Sequence, residues 1–88
     1  MKQIKYYIGE ILERNGDMEY TAKYLFATKK NPDSYTDKVA MEWRGSDKRD
    51  WDKDWEGYWS DGTLILDEGS TEIPKEDFEV LRKYLAVL

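Results

Sequence analysis

Three aspartates at alternate positions have the spacing that most resembles a chemical site. Asp50, Asp52 and Asp54 are spaced like the first ligands of a calcium-binding loop. Such a loop needs glycine at its sixth position and a bidentate glutamate at its twelfth, where this chain has Trp55 and Asp61. Because both constraining positions fail, we interpret the stretch as a charged loop and expect no metal site and no cofactor.

The residue types on which most catalytic sites depend are missing. The chain contains no His and no Cys, so it lacks the commonest general base, the commonest transition-metal ligand and a thiolate nucleophile. Paired carboxylates can hydrolyse glycosides, but here the acidic residues occur in strongly charged stretches. An 88-residue chain also leaves little room for a substrate cleft. We therefore predict no catalytic residues and a protein that is not an enzyme.

A tryptophan-rich stretch between residues 43 and 59 is the best candidate for a binding site. Trp51, Trp55 and Trp59 have the spacing of one face of a short helix, which Ser46 could cap. In one interpretation these rings are buried in a small cluster over a sheet edge. In the other, one or two of them are exposed as anchors for a partner, surrounded by charged residues.

The second interpretation defines a site for a protein partner. Its predicted residues are Asp50, Trp51, Asp52, Asp54, Trp55, Tyr58 and Trp59. Trp43 is assigned to the core instead, because it continues the apolar stripe of a predicted helix. The leading hypothesis is a small acidic, non-enzymatic interaction protein, acting as an adaptor or an inhibitor through this aromatic-acidic segment.

Charge excludes one class of partner and suggests an alternative function. The chain has 19 acidic and 14 basic residues, a net charge of −5 and a pI near 4.7. Direct binding to DNA or RNA is not expected, because that requires a basic surface. The alternative is a nucleic-acid mimic with a row of phosphate-like carboxylates: Asp67, Glu68, Glu72, Glu76, Asp77 and Glu79. A second alternative is a binder of small ligands that stack on an exposed Trp.

Length and composition limit the domain organisation and the location. With 88 residues and 10.5 kDa, the chain has room for a single domain over residues 1–88. Hydrophobic residues make up 40% and charged residues 38%, which allows both a core and a hydrated surface. Nothing resembles a signal peptide or an apolar membrane span of about 20 residues. We therefore expect a cytoplasmic protein without membrane association.

Apolar periodicity predicts two hairpins, each followed by a helix. Alternation identifies the strands, Asn15-Gly16-Asp17 is a turn signal, and Gly9 is predicted to mark a bulge or bend. Asn31 and Pro32 are typical of a helix start. The predicted elements are strands over 2–14 and from Met18 to Phe26, a helix over 32–44, strands over 57–60 and 63–67, and a helix that Pro74 opens.

The element order ββαββα predicts a two-layer α+β fold, in which a mostly antiparallel sheet of about four strands carries both helices on one face. Two registers compete for the first hairpin. A two-residue Asn15-Gly16 turn pairs Arg14 with Asp17, whereas a three-residue loop pairs Arg14 with Met18. Because a slip of one residue turns a whole apolar face to solvent, face matching favours the three-residue loop.

The preferred register leaves an unusually apolar outer face on the first hairpin. Its outward residues would be Lys5, Tyr7, Ile11, Thr21, Lys23 and Leu25. Three of these six are large apolar or aromatic side chains, more than a hydrated face needs. The pattern suggests a homodimer that forms through this face or through its edge strand.

Overall fold

A five-stranded antiparallel sheet is the framework of the computed structural model, which describes residues 3–88. Its elements are β1 (Lys5–Asn15), β2 (Met18–Thr28), α1 (Pro32–Glu42), a 3₁₀ turn (Lys48–Asp50), β3 (Trp51–Asp52), β4 (Gly57–Ser60), β5 (Thr63–Ile73) and α2 (Lys75–Leu81). The strand order across the sheet is β2-β1-β5-β4-β3. The α+β class is confirmed, with five strands instead of about four, because β3 adds a short outer strand. Residue 2, the predicted start of the first strand, lies outside the described residues.

Local signals define α1. The Asn31 side chain accepts a hydrogen bond of 2.8 Å from the Asp33 N–H, which satisfies an unpaired donor at the helix start. Pro32 occupies the first turn, where its fixed φ suits the helix. The Asp33 carboxylate also lies in this turn, where its negative charge interacts favourably with the positive end of the helix dipole. Gly45 follows the helix with a φ of +78°, which glycine adopts without strain. The helix predicted over 32–44 is confirmed to within two residues.

The β1–β2 hairpin closes at a turn that neither predicted register contains. Arg14 pairs with Glu19, which leaves Gly16 and Asp17 as a two-residue loop. Gly16 takes the first loop position with a φ of +59°, a conformation that matches the twist of the flanking strands. Asn15 stays in β1. The predicted three-residue loop is therefore wrong.

Burial of both faces of this hairpin explains the wrong register. Tyr7 stacks on Phe26, and Phe26 stacks on Tyr35 of α1, with ring centroids 5.0 and 4.5 Å apart. Tyr6 packs on Phe78 of α2, with centroids 4.8 Å apart. Because neighbouring residues of a strand point to opposite faces, α1 and α2 cover opposite faces of the sheet. The predicted placement of both helices on one face is wrong.

The predicted apolar outer face is in fact core. Tyr7, Ile11 and Leu25 are 7%, 0% and 0% exposed. Tyr7 and Ile11 belong to the cluster beneath α1, whereas Leu25 points to the other side of the sheet. The other three predicted outward residues, Lys5, Thr21 and Lys23, are exposed. No homodimer can therefore use the three apolar residues as one common face.

Tyr24 packs closely on Gly9, and the two residues are directly opposed on β2 and β1. The Tyr24 ring lies over Gly9, so that a Cβ atom at Gly9 would sit 2.3 Å from Cζ of the ring. Tyr24 also packs on Phe26 and on Trp43, with centroids 5.8 and 6.1 Å apart. Trp43, assigned to the core from its spacing, is half-buried against this cluster.

β5 is longer than predicted because it continues through a bulge. Gly9 pairs with Ser70 and Ile11 pairs with Asp67, so β5 places two residues against one of β1. Gly69 takes a φ of +84° there, and its N–H donates to Oδ1 of Asp67 at 2.8 Å. The bulge is therefore in β5, opposite the position in β1 where it was predicted. The strand has 11 residues and does not end at Asp67.

The C-terminal segment leaves α2 and joins the outer edge of β2. The helix that Pro74 opens ends at Leu81. The Leu25 N–H donates to the Ala86 carbonyl, and the Leu88 N–H donates to the Leu25 carbonyl, both at 2.8 Å. The Tyr35 hydroxyl donates to the Leu88 carbonyl at 2.7 Å, which ties the segment to α1 as well.

Substitution of Gly9 tests the packing of Tyr24. Gly9→Ala should lower the free energy of unfolding by about 2 kcal/mol, because forcing a methyl group into a packed core costs about 1–3 kcal/mol. Chemical denaturation measures the change. Thr71→Ala, at an exposed position of β5, is the control and should change stability by about 0.5 kcal/mol or less. Where the folded state has room for a methyl group, Gly→Ala stabilises a protein by restricting the unfolded chain. A Gly9→Ala variant that is more stable than the wild type would therefore contradict the close contact with Tyr24.

Candidate functional site

The predicted partner-binding segment forms a corner of the sheet at its shorter edge. β3 is the outermost strand, and it pairs with β4 through Trp51–Tyr58 and Asp52–Gly57. We call residues 51–59 the tryptophan corner. A turn over residues 53–56 connects the two strands.

A strand hairpin, and not the predicted short helix, positions the three tryptophans. Only one 3₁₀ turn precedes β3, and Asp47 caps it instead of Ser46. Trp51 is opposite Tyr58 and shares its face, on the α1 side of the sheet. Trp59 follows Tyr58 in β4 and therefore lies on the other face. The prediction that Trp51, Trp55 and Trp59 share one face is wrong.

All three tryptophans of the corner are exposed. Trp51, Trp55 and Trp59 are 44%, 54% and 38% exposed, whereas Tyr58 is 6% exposed. Trp51 meets the Tyr58 ring edge to face, with centroids 4.9 Å apart and planes at 62°. Tyr58, predicted as a contact residue, is thus a buried support beneath Trp51. The interpretation in which the tryptophan rings are buried in a cluster does not hold.

Asp52 organises the turn of the tryptophan corner. Its Oδ1 accepts hydrogen bonds from the backbone N–H groups of Asp54 and Trp55 at 2.9 and 3.3 Å. Its Oδ2 accepts from the Trp59 indole N–H at 2.9 Å. The indole hydrogen bond lowers the pKa of Asp52, opposed by desolvation and assisted by the two backbone donors. Glu56 closes the turn with a left-handed φ of +54°.

The predicted aspartates have three different roles. Asp50 accepts from the Asp47 N–H at 2.8 Å and so closes the 3₁₀ turn. Asp52 holds the corner, and Asp54 is exposed beside Trp55. The three carboxylates do not converge, and residues 3–88 contain no cluster of three or more His, Cys, Asp or Glu side chains that could hold a metal ion.

A shallow groove of about 380 Å³ lies beside Trp51 on the α1 face, between Asp37, Lys48 and Tyr58. The Tyr58 hydroxyl donates to Oδ1 of Asp37 at 2.9 Å. Burial raises the pKa of Tyr58 to about 12, and the hydrogen bond to Asp37 adds to this rise. The exposed Trp51 ring thus has a carboxylate and an ammonium group beside it.

A larger apolar groove was missed by sequence reasoning. It has a volume of about 570 Å³ and lies on the opposite side of α1 from Trp51, lined by Tyr35, Lys38, Val39, Glu42, Trp43 and Leu88. The spacing of Tyr35, Val39 and Trp43 predicted a buried stripe. It could not show that Leu88 returns to β2 and leaves part of this stripe open.

The acidic residues of the alternative function do not line one edge. Asp67 accepts a hydrogen bond from Oγ1 of Thr36 at 2.9 Å, beneath α1. Glu72 lies on the same face, 3.8 Å from Nζ of Lys5. Glu79 belongs to α2, which packs on the opposite face. A row of phosphate-like charges along one edge is therefore not formed.

Comparison with protein-family models, with curated proteins and with solved structures gave no match. Over residues 3–88, none of the helices has the length and apolar character needed to cross a membrane. A proposal on function therefore depends on the geometry of the tryptophan corner.

Alkaline titration tests the buried Tyr58. The pKa of Tyr58 is about 12 in the folded chain, whereas a tyrosine in the unfolded chain has a pKa near 10. The contribution of this difference to the free energy of unfolding is therefore complete below pH 10. This stabilisation is lost as the pH rises from 10 to 12. Between pH 9 and pH 11, Tyr58→Phe should therefore lose about 1 kcal/mol less stability than the wild type. Denaturation at each pH measures this, and Tyr84→Phe, at an exposed position, should follow the wild type.

Removal of Asp52 tests the organisation of the corner. Asp52→Ala should speed amide exchange at Asp54 and Trp55 and shift the Trp59 fluorescence, because three hydrogen bonds lose their acceptor. Asp54→Ala is the matched control, since that neighbouring carboxylate is exposed. In the wild type the same fluorescence change should appear as the pH falls through the lowered pKa of Asp52. Equal exchange in both variants would contradict this role.

Proposed function

We propose that this protein is a small non-enzymatic interaction protein, an adaptor or an inhibitor, that binds a protein partner through the tryptophan corner. One observation carries the proposal: three exposed indole rings stand on a hairpin whose turn is fixed by Asp52. Trp is strongly enriched among residues that dominate binding energy. A preformed hairpin also lowers the entropy that binding must remove.

The arrangement of the rings indicates the shape of the partner. Trp51 lies on one face of the hairpin and Trp59 on the other, with Trp55 at the turn between them. A flat surface could contact only part of this set. A groove with apolar walls could receive the hairpin edge-on and cover all three rings.

The charges around the rings indicate the rim of that groove. Asp54 and Glu56 flank Trp55, and both are exposed. The Asp52 carboxylate is engaged in hydrogen bonds within the corner, and the Asp50 carboxylate accepts a hydrogen bond in the preceding 3₁₀ turn. The rings should therefore supply most of the affinity, and a basic rim on the partner should mainly speed association.

Two features of the chain support binding without catalysis and a location in the cytoplasm. The sequence contains no His or Cys, and the hydroxyl of the buried Tyr58 beside the corner is engaged in a hydrogen bond to Asp37. Small secreted domains generally depend on disulfides, so a chain without cysteine fits a reducing compartment.

Removal of the two most exposed rings tests the proposal. Trp51→Ala/Trp55→Ala should weaken binding on the order of a thousandfold, because each anchor of this kind contributes about 2 kcal/mol or more. The melting temperature should fall only slightly, since Trp51 and Trp55 are 44% and 54% exposed and neither belongs to the main core. The measurement is capture from native lysate with the tagged protein, identification by mass spectrometry, and titration of the identified partner.

Trp43→Ala serves as the control for this experiment. It should lower the melting temperature, because Trp43 packs on Tyr24 in the core, and it should leave partner affinity intact while the protein is folded. Undiminished capture by the double variant would contradict the proposal, and so would a large loss of its stability. Binding that collapses at high salt would favour the nucleic-acid mimic instead.

A further inference from the structure

β2 forms the edge of the sheet opposite to the tryptophan corner, and most of its outer side has no strand beside it among the described residues. The C-terminal segment is hydrogen-bonded to β2 only at Leu25. Residues 18–23 therefore present an open edge. The other edge of the sheet is β3, which has only two residues. Within residues 3–88, β2 alone offers an edge long enough for pairing with another strand.

The outward backbone groups of this edge are identified by Leu25. Both its N–H and its carbonyl point away from β1, because the N–H donates to the Ala86 carbonyl and the carbonyl accepts from the Leu88 N–H. Backbone groups along a strand alternate in direction with a period of two. Glu19, Thr21 and Lys23 therefore point their N–H and carbonyl groups outward as well. Such a row is a template for another strand.

The charges of this edge are self-complementary. Asp17 and Glu19 lie at its beginning and Lys23 lies at its end, all three exposed. Antiparallel pairing of two copies places the acidic end of each strand beside the basic end of the other. Because the C-terminal segment stops the incoming strand before Leu25, the two-fold axis falls at Thr21, which places Glu19 of each copy opposite Lys23 of the other. Opposite charges across strands stabilise pairing.

The exposed apolar side chains at this edge would also be covered. Met18 and Tyr20 are 58% and 51% exposed and lie on the α1 face of β2. A second copy brings them towards Ala22 and Tyr24, next to the apolar groove of about 570 Å³. Trp43, which lines that groove, already packs on Tyr24 with centroids 6.1 Å apart. The side chains and the groove are therefore complementary in chemistry and in position.

We propose that two copies of this chain pair antiparallel through the open edge of β2, as a two-fold symmetric dimer with one continuous sheet. This inference goes beyond the proposed function and does not depend on it. The two tryptophan corners lie at the far ends of the joined sheet, because β3 and β2 are at opposite edges of each copy. A partner with two grooves would then be bound with increased avidity.

Sedimentation equilibrium over a wide concentration range tests the dimer with charge-reversal variants. The wild type should change from monomer to dimer as its concentration rises. Lys23→Glu makes the edge acidic at both ends, and Asp17→Lys/Glu19→Lys makes it basic at both ends. Each variant alone should dimerise at least about tenfold more weakly, because like charges then oppose one another. An equimolar mixture should form a heterodimer, since the two altered edges are complementary.

Matched controls separate this edge from general effects of charge and folding. Lys75→Glu makes the same charge change at an exposed position of α2 and should dimerise like the wild type. Circular dichroism confirms that each variant is folded. Trp51→Ala/Trp55→Ala should also dimerise normally, so failure of the partner proposal would not affect this one. A wild type that stays monomeric, or a mixture that does not associate, would overturn the dimer.

Discussion

Burial of the sheet on both faces is the constraint on which the rest of the structure depends. α1 covers one face and α2 the other, so consecutive residues of β1 are both packed: Tyr7 is buried beneath α1, and the half-buried Tyr6 lies against α2. The same constraint requires Gly9 to have no side chain, because the Tyr24 ring occupies that space. When both faces of a sheet are covered in this way, its edges are the parts that stay accessible.

The two edges differ in the means of recognition that they offer. The tryptophan corner presents side chains, and Asp52 keeps their positions fixed by accepting hydrogen bonds from its turn and from Trp59. The open edge of β2 presents backbone groups, with Glu19 and Lys23 setting the direction of pairing. The proposed partner and the proposed second copy would therefore bind without competing, at opposite ends of one molecule.

Local patterns predicted the elements, and long-range contacts decided what the patterns could not. Asn31 and Pro32 identified the start of α1, because capping depends on a few adjacent residues. The first hairpin was placed in the wrong register because apolar residues occur on both of its faces. Matching the apolar residues of a single face therefore cannot select the correct register. The sequence left open whether Trp51 and Trp55 are buried or exposed, and the structure shows both exposed. The internal role of Asp52 was missed, because it depends on a turn whose spacing also fits a helix.

Site-specific photo-crosslinking tests most directly whether the tryptophan corner contacts the partner. A photoreactive phenylalanine derivative replaces Trp55 in one sample and Tyr84, which is 80% exposed on the C-terminal side of α2, in the other. Both proteins are irradiated in native lysate, and the crosslinked products are identified. We expect one protein to be crosslinked from position 55 and not from position 84. Crosslinking of a partner from position 84 alone would show that recognition uses another surface and would contradict the proposed site.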